Sequence, residues 1–402
     1  TVDMASWTFR KKSGFFDCVT YSGNGVAGRE IAHGLNGPVG MLVIKKTSAA
    51  MNWPVYHIST GASENLFLDV TDATSASSYW TSTAPTDSVF TVNDNTMVNA
   101  SGSTYVAYLF ADNSAEDAED QMIKCGSYTG AGAHLNINLG WEPQFVLIKC
   151  SSQGFNWVMF DTMRGLPVDG NAKDLRPNLD DSEGDNTAIG ITSTGFLARN
   201  AVDGQVNANG RSYIYMAIRA PMMVEPEAAT DVFAVSTGDG TPLPFYTSGF
   251  PVDMAFHKVV TNSSSTFVLG SRLTQGKGLV TSSTAAEITE GDQQYDYMTG
   301  WNTETSTNTN KYSWMWKRAK GYMDVVCYSG NGSARTVPHS LSVIPEMMWV
   351  KSRDIVFNGT SYTSNWGVYH KDISVSAAMP LNTGDRGTAW LATTFWNDTA
   401  PT

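Results

Sequence analysis

The residues of this chain that could do chemistry are few and scattered. The run Asp180–Asp181–Ser182–Glu183–Gly184–Asp185–Asn186 has the density of oxygen donors, and the glycine, that a calcium loop uses. Asp180, Asp181 and Asp185 are therefore candidate metal ligands, although their spacing matches no EF-hand and a solvated acidic turn is the favoured reading. His33, His134 and His339 each follow a Gly-rich turn at a similar distance. None has a second His or Cys at ligand spacing, so loop histidines hydrogen-bonded to backbone are expected rather than a zinc site. Ser is abundant, but no G-x-S-x-G elbow occurs. Hydrolysis by paired carboxylates needs two such groups about 5 to 9 Å apart, commonly on alternate residues of one strand. The acidic clusters at 116–120 and 180–185 lie in sequence without strand patterning. The expectation is a chain with no catalytic residues and no cofactor.

Two further residue types were candidates for chemistry. Trp53, Trp157 and Trp366 could stack on sugar rings, but they sit in apolar runs at matching places, so core packing is expected. Of the four cysteines, Cys18 and Cys125 occupy equivalent positions and cannot be neighbours. Cys125 and Cys150 are close enough in sequence to pair; buried free thiols are the alternative.

What must position these residues is a repeated module. Phe15–Phe16–Asp17–Cys18–Val19–Thr20–Tyr21–Ser22–Gly23–Asn24–Gly25 returns as Tyr322–Met323–Asp324–Val325–Val326–Cys327–Tyr328–Ser329–Gly330–Asn331–Gly332. Weaker copies lie between, at Tyr128–Thr129–Gly130–Ala131–Gly132 and Ser236–Thr237–Gly238–Asp239–Gly240. Steps of roughly a hundred residues mark an array of like domains, each large enough to bury a core. Each module then carries an apolar run ending in Lys (Lys45, Lys149, Lys351) and a Trp-centred strand, for which Phe267 is the nearest equivalent in the divergent third module. A closing strand follows with large apolar residues at alternate positions: Tyr108 and Phe110, Met216 and Ile218, Trp314 and Trp316. That alternation places them on one face of a strand.

These patterns predict an all-β chain, a tandem array of antiparallel β-sandwich modules. Module 1 is expected over 12–111, an acidic exposed linker over 112–120, module 2 over 121–220, module 3 over 221–318 and module 4 over 319–402. Trp7 and Phe9, followed by Arg10, repeat the closing pattern ahead of the first turn, so residues 1–11 read as the closing strand of a preceding module. Trp396 to Thr402 match Trp80 to Thr86, which lie well inside module 1, so module 4 reads as incomplete at its C-terminus. Either the array continues on both sides, or the terminal strand completes the last module by closing the array on itself.

Composition narrows the function classes. Charged residues are 16% of the 402, and the formal net charge is −12. That charge argues against a surface that binds nucleic acid, which would need clustered Lys and Arg. No apolar run approaches the eighteen or so residues of a membrane helix.

The run from Trp7 to Gly25, with Ile31–Ala32–His33–Gly34–Leu35, Trp366–Gly367–Val368–Tyr369–His370 and the segment from Phe395 to Thr402, resembles repeats of bacteriophage virion proteins. These are tail-fibre-like and capsid-decoration proteins whose modules are similar to laminin-G and concanavalin-A sandwiches. The resemblance is closest in modules 4 and 1, partial in module 2 and weak in module 3. It implies a structural component on the exterior of the particle, assembled in the host cytoplasm. Its expected partners are other virion proteins and a host-surface glycan, and its expected state is a homo-oligomer, by family a trimer. A secreted or cell-surface lectin-like adhesin is the alternative, and a polysaccharide-degrading enzyme on the same sandwich a third.

Overall fold

The computed structural model describes residues 5–117, 120–168, 171–199, 204–221, 223–238, 243–290, 293–303 and 310–354. Of the remainder it describes 356–357, 360–361, 364–373, 375, 377, 379–384, 396 and 399–402. The chain is all-β, with antiparallel sheets throughout. It forms two compact units, one of residues Thr1–Asp161 and Gly170–Pro221, the other of Thr162–Asp169 and Met222–Thr402.

The first unit begins with β1 (Phe16–Ser22), β2 (Arg29–Ala32), β3 (Val39–Lys46) and β4 (Pro54–His57). It continues with β5 (Glu64–Phe67), β6 (Ser75–Ala76), β7 (Val89–Val92) and β8 (Thr104–Ala111). Six of these make a sheet in the order β1-β8-β3-β4-β5-β6, and β2 pairs with β7 across from it. Tyr105, Ala107 and Leu109 of β8 are buried on the face turned to β2 and β7, where Tyr21 meets Phe90 edge-on.

The second module repeats this plan. Its strands are β9 (Ile123–Thr129), β10 (Leu135–Asn138), β11 (Pro143–Cys150), β12 (Trp157–Asp161) and β13 (Ala172–Leu175). Then come β14 (Gly184–Asn186), β15 (Ile189–Thr192), β16 (Gly195–Ala198) and β17 (Ser212–Arg219). Its sheets run β14-β13-β12-β11-β17-β9 and β10-β16-β15.

The second unit holds the third module: β18 (Phe233–Thr237), β19 (Tyr246–Thr247), β20 (Met254–Val259) and β21 (Val268–Ser271). β22 (Lys277–Val280), β23 (Ile288–Thr289), β24 (Gly300–Trp301) and β25 (Lys311–Trp316) complete it. The order β18-β25-β20-β21-β22-β23, with β19 against β24, is the same again. The fourth module shows β26 (Met347–Val350), β27 (Val356–Phe357), β28 (Thr360–Ser361), β29 (Gly367–His370) and β30 (Met379–Pro380). Its main sheet among the described residues is β26-β29-β30. By register β26 stands where β3, β11 and β20 stand, and β29 where β4, β12 and β21 stand.

The repeated turn is Gly-rich for two separate reasons. A Cβ on Gly23 or Gly130 would sit 2.1 Å from the carbonyl oxygen of Ala100 or Ala208. Gly25, Gly132 and Gly332 instead adopt positive φ, a region costly for other residues. The chain returns past the turn through two buried asparagines. Asn99 and Asn207 accept the backbone N–H of Asn24 and Ala131, and Tyr21 and Tyr128 donate to the carbonyls of Val98 and Val206.

The linker is exposed at 114–117 and 120, as expected, and departs from that character only at its start. Asp112 and Asn113 are buried rather than exposed, and they accept the N–H groups of Cys125, Met122 and Ile123 that open β9. A short chain that must feed directly into the next sheet has its polar side chains drafted as partners for that strand. Of the expected closing strand over 1–11, residues 1–4 lie outside the described residues and 5–11 are not assigned to a strand; Phe9 packs on Phe16 and Phe110, and Trp7 donates to Asp161.

Candidate functional site

Each large sheet has two apolar faces, one toward its own short sheet and one away from it. In the first module the outward face carries Phe16, Met41, Val43, Val55 and Phe110, as the pairings Met41–Phe110 and Val43–Val55 require. In the second it carries Cys125, Phe145, Leu147, Ile214, Met216 and Ile218. All of these belong to one continuous core, so the two modules of the first unit share their apolar interior. Met41 is 2% exposed and Val43 4%.

Three polar bonds tie the modules together beside that core. The indole of Trp157 donates to the Phe67 carbonyl at 2.8 Å, Lys149 donates to the Thr71 carbonyl at 2.8 Å, and Thr74 N–H donates to the Ser151 carbonyl at 2.9 Å. The second unit repeats all three. Trp366 donates to Val280 at 3.1 Å, Lys351 to Thr284 at 3.1 Å, and Glu287 N–H to the Arg353 carbonyl at 2.9 Å. Lys149 is wholly buried, and burial pushes its ammonium down to about 8; Lys351 is shifted the same way for the same reason. Each Lys also donates to a carbonyl of its own module, Phe155 or Ser364. A buried cation ringed by carbonyl oxygens is a joint that resists sliding.

Trp157 and Trp366 are thus buried, as expected, but they join modules instead of filling a single sandwich, and Trp53 is half-buried. Trp53 and Phe267 hold the same place in modules 1 and 3, where Lys45 and Lys258 lie 4.9 and 4.7 Å over their rings.

In the second unit the joint is made but the sheet faces beside it are open. A groove of about 520 Å³ lies between the third and fourth modules. Phe256 of β20, Phe267 and Trp349 of β26 form its aromatic walls; Thr281, Ser282, Asn382 and Thr383 bring hydroxyls and an amide. Phe256 and Trp349 stand 5.9 Å apart, centre to centre. The Asn382 side chain accepts Trp366 N–H and donates to Asn365, which fixes that wall. Trp349 is 40% exposed and Met347 50%, although the sequence reads their strand as a buried one. β3, β11 and β20 are each flanked by a closing strand; among the described residues none flanks β26.

The groove can stack flat apolar groups and satisfy hydroxyls or a peptide edge. It holds no nucleophile beside a base. Elsewhere, the sequence-predicted metal ligands are not brought together. Asp185 pairs with Lys173 at 2.8 Å and Asp181 approaches Arg176 at 3.7 Å, while Asp180 is exposed. Among the described residues no group of three or more His, Cys, Asp or Glu side chains could hold a metal ion. His33 and His339 accept the N–H of Leu35 and Leu341, the loop role expected of them. All four cysteines are free; Cys125 and Cys150 lie on opposite faces of their sheet and cannot meet. Among the described residues no helix is long and apolar enough to cross a membrane.

The class these features define is a tandem array of antiparallel sandwiches joined by a repeated Trp–Lys contact. The chain belongs to a family described as a domain of unknown function (DUF7483), which it matches over residues 5–221 and 231–402, nearly the extents of the two units. No curated protein and no solved structure matches it.

Proposed function

We propose that this chain is a non-enzymatic structural component of a bacteriophage virion, a tail fibre or a capsid or tail appendage outside the particle, that contributes to attachment to the host surface. The observation that carries this reading is the joint used twice. Trp157 with Lys149, and Trp366 with Lys351, lock successive modules through the same three bonds. A sandwich that repeats its docking contact with its fold is suited to bearing load along a series, which an appendage must do and an isolated enzyme domain need not. The sequence resemblance points the same way. Antibody against the chain should decorate the outside of intact phage particles in electron micrographs, and the purified chain should compete with particles for adsorption to cells. Particles that carry none of the polypeptide would defeat the proposal.

A lectin-like adhesin is the second reading, favoured by one observation: the aromatic walls and the Ser, Thr and Asn side chains of the groove suit a sugar ring. Glycan-array binding abolished by Trp349→Ala, together with display on a bacterial surface, would support it.

A further inference from the structure

In the first two modules the strand one in from the sheet edge turns a polar residue to the interior. Leu42 pairs with Tyr56 and Val55 with Leu66, so Asn65 of β5 stands beside Tyr56 on the inner side. By the same count Asp174 of β13 stands opposite Phe160. The two are 1% and 2% exposed. In the second module protein groups meet the carboxylate: Asn186 donates to Oδ1 at 2.6 Å, and Arg176 Nε lies 3.3 Å from Oδ2. In the first module Ser77 holds the place of Asn186, since each accepts the N–H two residues on, but its side chain is shorter. Phe67 holds the place of Arg176. Asn65 therefore has no partner for either amide atom among the described residues. Nor has the indole nitrogen of Trp80, 1% exposed, whose ring meets Tyr56 edge-on.

The third module fills the same place with different residues. Gly270 pairs with Ala255 and with Gly278, so these two glycines stand where Tyr56 and Asn65 stand in the first module. The groups that reach them come from the loop between β23 and β24. A Cβ on Gly270 would sit 2.4 Å from Gln293 Oε1 and 2.8 Å from the Tyr295 hydroxyl, which puts both polar groups over one glycine. Gln293 is 4% exposed and Tyr295 0%. Neither that amide nor that hydroxyl has a hydrogen-bond partner among the described residues.

We propose that the first and third modules each bind resident water inside the sandwich, held by Asn65 in one and by Gln293 and Tyr295 in the other. The second module closes the equivalent place with its own side chains, Asn186 and Arg176. Buried polar groups are hydrogen-bonded with few exceptions, because leaving them bare in an apolar interior is costly. The donor set identifies the ligand. An amide offers N–H donors and a carbonyl acceptor together, a tyrosine hydroxyl does both, and Trp80 adds a donor. A metal ion cannot use the N–H groups, and an anion cannot use the carbonyl. Water accepts from the first and donates to the second, and buried waters typically make about three such bonds.

A crystal structure of the whole chain at atomic resolution tests this. Ordered water should lie at hydrogen-bond distance, about 2.7–3.2 Å, from the Asn65 amide and from Gln293 or Tyr295. No water should stand between Asp174 and Asn186. Asn65→Leu keeps the side-chain volume and removes the polar atoms, so its crystals should lose the first-module water and keep that of the third. In solution the Asn65 amide protons of the wild-type chain should receive magnetisation from a long-lived water, a readout that needs no variant to fold. The proposal is overturned by an Asn65 amide bonded only to protein, by density of a metal ion or an anion at either site, or by a first-module water that survives Asn65→Leu. Failure of the magnetisation transfer would count against it equally.

Discussion

Trp157 and Phe67 are joined by a single hydrogen bond, 2.8 Å from indole nitrogen to carbonyl oxygen, that crosses from the second module to the first. The indole is 1% exposed, so it cannot turn to water if the carbonyl is withdrawn. Trp157→Phe keeps most of the ring and orphans the carbonyl. It should cost about 1–3 kcal/mol in the first unit, whereas Trp157→Ala, which also opens a cavity, should cost about 3–5 kcal/mol. Trp366→Phe should produce the smaller effect in the second unit and leave the first unchanged. Denaturant titration followed by hydrogen exchange in each unit would separate the two.

How much of this joint can be read from the sequence depends on which face of a strand a residue occupies. Modules are legible because Tyr21 and Tyr128, with their Gly turns, recur at fixed offsets, and the short polar loops around them leave little alternative. Phe267 is legible as the third module's substitute for Trp because the apolar run around it keeps its place. The joint is not legible. Val39–Gly40–Met41–Leu42–Val43–Ile44 is apolar on both faces, which any doubly buried strand would be, and nothing in it says that the second cover is another module. The exposure of Trp349 is hidden for the converse reason. Among the described residues no strand pairs with β26 on the side where β8 flanks β3, and a residue's own type does not report what lies beside its strand. The tripeptides Val98–Asn99–Ala100 and Val206–Asn207–Ala208 were a readable signal of the asparagine-braced turn.

Acidity should weaken the first unit through His57. Its ring is 1% exposed, accepts Ser59 N–H at Nδ1 and donates from Nε2 to the Tyr215 carbonyl. Burial holds its pKa down to about 4, against an ordinary value of 6.5. The unfolded chain therefore takes up a proton through the window from about 6.5 to 4 that the folded chain refuses. Stability is full above 6.5 and falls as pH drops through the window, by up to about 3 kcal/mol at its foot. His57→Gln should be less stable than wild type at pH 7.5 and flatten the decline between 6.5 and 4.5. An equally steep decline in the variant would assign the acid sensitivity elsewhere.

The cysteines should behave as inert thiols. Cys150 is wholly buried and Cys125 is 5% exposed, with burial, and then the charge of Asp112, raising the Cys125 thiol well above its ordinary range. Neither should react with a thiol-specific reagent in the folded protein, and all four cysteines should react in denaturant without prior reduction. Fewer than four labels under those conditions, counted by intact mass, would reveal a disulfide that the opposed faces of Cys125 and Cys150 forbid.

Two glycines of the first module should fail for different reasons when given a side chain. At Gly23 the obstacle is space: an added Cβ would meet the Ala100 carbonyl oxygen at 2.1 Å, and that carbonyl belongs to backbone braced by Asn99. Gly23→Ala should therefore push the return chain away from the turn and cost about 1–3 kcal/mol or more. At Gly28 there is nothing within 4 Å, but φ is +77°, so the cost of Gly28→Ala is conformational and about 1–2 kcal/mol. The two mechanisms part on a further substitution. Asn tolerates positive φ, so Gly28→Asn should recover part of the loss, while Gly23→Asn should be worse than Gly23→Ala because its side chain is larger. Thermal melts of the four variants would decide it; equal recovery at both positions would mean that the Gly23 turn yields, and that the tight approach of the two chain segments does not hold the module's edge in place.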